Sequence, residues 1–113
     1  MRMGSLVVDW PDDADGDVFR RLAESDFDFS KPHTVDYNVD FNSWPPQQPA
    51  IDLLASIYGA IEISEPGEFG AGYVLFQIHA PVTYEYVTTV QRNVSIAMAP
   101  YGGICESWGV MSE

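Results

Sequence analysis

The chain has 113 residues, 46% hydrophobic and 13% aromatic, a length and composition for one folded domain and not for a disordered polymer. With 17 Asp and Glu against 5 Lys and Arg, the formal net charge is −12, which repels phosphate backbones and anionic headgroups and excludes direct nucleic-acid or membrane-surface binding as an expectation. Cys105 is the sole cysteine, no signal-peptide core forms near Met1 and no apolar run reaches membrane-spanning length, so a soluble protein in a reducing, cytoplasmic setting is expected.

Residues 1–16 read as an acidic, flexible lead-in, broken by Pro11 and Gly16, before a single domain over 17–113. From Asp17, Val18, Phe19, Leu22 and Ala23 have helical spacing, with Asp15 or Asp17 as the N-terminal cap. The apolar stripe of this short helix, continued by Phe27 and Phe29, needs a surface, and the outer face of the sheet is the expected one. Pro32 imposes an extended backbone on what precedes it. His33 to Phe41 then alternate without a break, with Val35, Tyr37, Val39 and Phe41 on one side and Thr34, Asp36, Asn38 and Asp40 on the other.

A second helix carries Ile51, Leu54, Ile57 and Tyr58 and stops at Gly59. Ile61-Glu62-Ile63 and Tyr73 to His79 read as a strand pair joined by the turn-forming run from Glu65 to Gly72. A third helix starts at Thr83 as cap, with Val87, Val90, Val94, Ala97 and Met98 at helical spacing, and ends before Pro100, Gly102 and Gly103. Ile104 to Val110 form the last strand. The order strand, helix, strand, strand, helix, strand predicts an α+β, ferredoxin-like split βαββαβ fold: a four-stranded antiparallel sheet with two helices on one face, plus the extra N-terminal helix. The first strand is central, between the third and the fourth.

The face away from the two helices gathers Asp36, Asn38, Asp40, Tyr73, Leu75, Gln77 and His79. On the last strand, burial of Glu106 would be costly, so Ile104, Glu106 and Trp108 are expected outward and Cys105, Ser107 and Gly109 inward. Asp36, Asp40, Glu106 and Trp108 are therefore the candidate partner-binding residues, and the alternative for Trp108 is a tryptophan packed under the first helix. Four residues of strand separate Asp36 from Asp40 by about 13 Å, too far for a catalytic carboxylate pair, and nothing beside them supplies a nucleophile. His33 and His79 fall on opposite faces, so they share no ion. No catalytic, cofactor or metal residues are expected.

The short helix from Asp17 to Ser25 leading by Phe27-Asp28 into the first strand, the strand Tyr73-Val74-Leu75-Phe76-Gln77-Ile78, and the closing Gly102-Gly103-Ile104-Cys105-Glu106-Ser107-Trp108-Gly109 together resemble one family, the RraB-like regulators of ribonuclease E activity, also called ribonuclease E inhibitors. The resemblance implies a non-enzymatic, ferredoxin-like protein that binds the non-catalytic scaffold half of ribonuclease E, in the RNA degradosome, and lowers cleavage of some transcripts. A monomer or weak homo-oligomer is expected. Some members continue past Trp-Gly into a long acidic tail, where this sequence ends at Glu113. Two other functions suit the same fold: a small-molecule-binding regulatory domain and a small cofactor-independent enzyme.

Overall fold

A computed structural model of the chain describes residues 10–68 and 70–110. Its elements are α1 (Ala14–Glu24), β1 (Pro32–Phe41), α2 (Gln48–Tyr58), β2 (Ile61–Ser64), β3 (Tyr73–Pro81), α3 (Tyr84–Met98), a short 3-10 turn (Ala99–Tyr101) and β4 (Gly103–Val110). The strands form one open antiparallel sheet in the order β2-β3-β1-β4, the ferredoxin-like split arrangement, with β1 between β3 and β4 as its alternation requires.

The core is built from the inward positions of β1 and β3. Val35, Tyr37 and Val39 pair with Ile78, Phe76 and Val74, and all of these except the half-buried Ile78 are buried. Tyr37, Phe76 and Tyr58 stack in sequence, with ring centroids 5.2 and 4.0 Å apart, so α2 is held over the sheet by an aromatic column. From α3, Val87, Val90, Val94 and Met98 complete the layer, and Thr83 caps the helix by accepting from the Tyr86 N–H at 3.1 Å.

Two expectations are corrected at the N-terminus. The helix starts at Ala14, so the expected boundary at residue 17 falls inside it, and the cap is Asp13, which accepts from the Gly16 N–H at 2.7 Å. A Cβ on Gly16 would lie 1.8 Å from the Pro11 carbonyl oxygen; this glycine is required by a chain folded closely over a helix, and does not interrupt one. Residues 1–9 of the lead-in lie outside the described residues. The second correction concerns the surface that α1 covers. Phe19 packs at 5.2 Å from the Trp108 ring and 6.0 Å from Tyr84 at the start of α3, so α1 lies on the same face as α2 and α3 and not on the opposite one. Trp10 and Phe29 close over Phe19 at 5.5 and 6.0 Å, leaving it 1% exposed.

Because Phe19 is the centre of this aromatic group, Phe19→Ala should lower the unfolding free energy by about 3 kcal/mol, the range for a buried ring whose neighbours collapse only in part. Urea melts followed by circular dichroism measure it. Overlaying melts of mutant and parent would mean that α1 contributes no core.

Candidate partner-binding face

All three helices pack on the Tyr37 side of the sheet, so the other face carries none of them. Strand register places its side chains in rows. Glu62 of β2, Leu75 of β3 and Asn38 of β1 form one row, Ser64, Tyr73, Asp40 and Ile104 form the next, and Gln77, Asp36 and Gly109 lie on the opposite side of the first. Neighbours in a row are about 5 Å apart and interact directly. Gln77 Nε2 donates to Asp36 Oδ1 at 2.7 Å, Asn38 Nδ2 donates to Ser107 Oγ at 3.1 Å, and Thr34 Oγ1 lies 3.2 Å from His79 Nδ1. Asp40, Glu62 and Glu106 are exposed, while Tyr73 and Leu75 are half-buried and Ile104 is 44% exposed beside Asp40. None of the four described Lys and Arg residues lies on a strand. The face is thus an acidic surface with an apolar band, suited to a cationic partner.

The structure keeps Asp36, Asp40 and Glu106 on or beside this face and removes Trp108 from it. β4 pairs Ser107 with Asn38 but Cys105 with Val39, so Glu106 is an extra residue and the strand bulges there. Alternation holds before the bulge, with Ile104 exposed and Cys105 buried, and reverses after it, so that Trp108 pairs with Tyr37 and shares its inward side. Its indole Nε1–H donates to Asp15 Oδ1 at 2.8 Å and its ring packs on Phe19, so Trp108 is the anchor of α1. The expected outward position is thereby corrected. Glu62, which sequence reasoning left out, joins the face; its place between Ile61 and Ile63 in a strand paired to β3 was the available signal.

The two histidines do lie on opposite faces. His33 is buried, 4.3 Å from the Phe27 ring, with Nε2 2.8 Å from the Asp28 carbonyl oxygen, and His79 is exposed beside Thr34. Burial pushes the Cys105 thiol up to about 12, with the nearby carboxylates of Asp40, Asp15 and Glu106 adding to it, so the thiol is neutral at physiological pH and packs as a small apolar group. No helix among the described residues is long and apolar enough to cross a membrane.

Comparison with known proteins gives one finding. The family model described as Regulator of ribonuclease activity B, RraB, matches residues 12–110, nearly the whole chain, and the chain belongs to that family. It is a family of regulators and not of enzymes. Searches of curated proteins and of solved structures each returned no match.

A hydrogen bond at the edge of this architecture has a readable pH dependence. Tyr84 Oη donates to Asp13 Oδ2 at 2.6 Å, and this bond, followed by the Gly16 N–H, holds the Asp13 carboxyl below its ordinary value while Asp13 holds the Tyr84 hydroxyl above its own. The Asp13 contribution to stability is present above the ordinary carboxylate value and is lost as pH falls through the lowered one. The Tyr84 contribution is present below the ordinary phenol value and is lost as pH rises through the raised one. Tyr84→Phe should move the Asp13 titration upward in an NMR carboxylate titration and weaken the acid limb of the stability curve. An unchanged Asp13 midpoint would show that the bond is not formed in solution.

Proposed function

We propose that this member of the family binds the non-catalytic scaffold half of ribonuclease E with the open face of its sheet and lowers RNA cleavage without chemistry of its own. The observation that carries the reading is the strand face itself, with Asp36, Asp40, Glu62 and Glu106 around the apolar side chains of Tyr73, Leu75 and Ile104 and no Lys or Arg among them. A protein segment that handles RNA is expected to be rich in Arg and Lys. Such a segment is attracted by the carboxylates over a distance and held at close range by the apolar band. Trp108 contributes from behind, by fixing α1 and the second half of β4.

The reading also accounts for the spacing of the acids. Asp36 and Asp40 point the same way about 13 Å apart, a separation that suits successive cationic side chains of an extended chain better than a single reacting centre. The protein is expected to act on the ribonuclease and not on its substrate, since a net charge of −12 lacks the counterion-release gain of RNA binding.

Three measurements test this. Asp40→Asn combined with Glu106→Gln should slow association with the immobilised scaffold half several-fold at low salt, where charges act over about 30 Å, and should have little effect near 1 M, where screening leaves about 3 Å. Equal association rates for mutant and parent at low salt would place the contact elsewhere. The protein should also inhibit full-length ribonuclease E and leave the isolated catalytic half uninhibited, and a gel shift with structured RNA alone in about 0.1 M salt should show no saturable complex.

A further inference from the structure

The sheet has two edge strands, β2 and β4, and the chain treats them differently. At β4, Ser95 of α3 reaches the edge: its Oγ accepts from the Cys105 N–H at 2.9 Å and donates to the Cys105 carbonyl oxygen at 3.3 Å, so both backbone groups of that residue are engaged. The bulge at Glu106 follows immediately and breaks the regular spacing that an added strand needs. β2 has neither device. Its residues Ile61–Ser64 pair with β3 on one side, and no described strand pairs with the other.

The helix side of β2 adds an independent observation. Ile63 pairs with the buried Val74 and so shares the inward side of the sheet, yet it is 47% exposed. An inward strand residue is thus left bare beside the edge where a fifth strand would lie.

We propose that the outer edge of β2 is a docking site for an extended segment of a partner protein in which apolar side chains alternate with Lys or Arg. Added as a fifth strand, the segment bonds to the open backbone groups of β2. Its apolar side chains cover Ile63, and its basic side chains emerge on the other face beside Glu62, continuing toward the acidic rows. Charge selects this occupant over a second copy of the chain, which would bring two Glu62 carboxylates together within two bodies of net charge −12. The identity of the protein that carries the segment rests on the ribonuclease reading, while the docking edge does not.

The test titrates the isotopically labelled full chain with a synthetic peptide, about nine residues of alternating Val and Arg, and with a peptide of the same composition whose Val residues form one block. The alternating peptide should slow amide exchange within Ile61–Ser64 and shift the Ile63 methyl signals, and the blocked peptide should bind at least about tenfold more weakly. Ile63→Lys should weaken the alternating peptide by about tenfold, and Ile96→Lys, at an exposed position on α3, should leave it unchanged. Protection at β4, undiminished binding by Ile63→Lys, no peptide binding, or sedimentation showing β2 covered by a second copy would each overturn the proposal. The ribonuclease E scaffold half is titrated in parallel. If the peptide docks on β2 and the scaffold half binds nowhere, the ribonuclease reading fails and the edge stands; if the scaffold half binds elsewhere and the peptide not at all, the reverse holds.

Discussion

Glu106 and Ser107 of β4 lie opposite one residue of β1, Asn38, and from that point the alternation along β4 runs out of phase with its first half. A strand has a side-chain period of two, so one inserted residue exchanges the faces of everything beyond it. Here the exchange puts an indole on the helix side, next to Tyr37. Phe19 packs on it, Trp10, Phe29 and Tyr84 gather around Phe19, and Asp15 accepts the hydrogen bond of the indole N–H. Without the extra residue Trp108 would face the acidic side, α1 would lose its anchor, and the core would lack the group centred on Phe19. The same residue leaves a carboxylate exposed at the bend, so one insertion serves both faces of the sheet.

This explains which parts of the fold were legible in the sequence. β1 alternates over its whole length, and the structure follows it residue for residue. The apolar spacing of α2 and α3, the Thr83 cap and the glycine-rich hairpin were equally direct, because each depends on interactions local in sequence. The bulge depends on pairing with a strand far away in the chain and leaves no local mark, so alternation alone puts Trp108 on the wrong face; the side that α1 covers depends likewise on contacts distant in sequence, with Trp108 and Tyr84. The helix start was missed for a related reason. Gly16 looks like a breaker in sequence, whereas it sits inside the helix because the Pro11 carbonyl folds against it, and Asp13 caps from beyond. Of the candidate site, Asp36 and Asp40 are legible as alternation within β1 and Glu106 through the cost of burying a carboxylate, and the side of Trp108 is not.

The acidic residues fall into two groups with different physics. Around the start of α1, Asp13, Asp15 and Asp17 each have a defined donor, in Tyr84, Trp108 and Arg20 respectively. They suit the positive end of the helix dipole and tie the N-terminal segment to α3 and β4. Arg20 extends this by donating to the Trp10 and Pro11 carbonyl oxygens at 3.0 and 3.2 Å. On the open sheet face, Asp36 accepts from a neutral amide, and no described Lys or Arg lies on any strand. Carboxylates without cationic partners repel one another, and burial against a cationic surface relieves that repulsion, whereas those around α1 already have their donors within the fold.

The edge at β4 shows how packing and edge protection are coupled. For Ser95 to reach the Cys105 backbone, α3 must run close to β4, and the residues between must be small. A Cβ on Gly103 would come within 2.8 Å of the Phe41 ring and 2.9 Å of Met98 Cβ, so glycine is needed where helix and strand converge. Cys105, 2% exposed, is next in line on the same side, and a larger side chain there would push α3 away and uncouple the serine. Its thiol is thereby kept neutral and out of water, so the side chain acts as a spacer whose backbone is the protected part of the edge. On the β2 side, α2 meets the sheet through the ring of Tyr58 on Phe76, 4.0 Å between centroids, and no side chain of α2 among the described residues bonds to the β2 backbone as Ser95 does to that of Cys105. The two sides of the sheet thus differ because one helix rests on glycine and cysteine and the other on stacked rings.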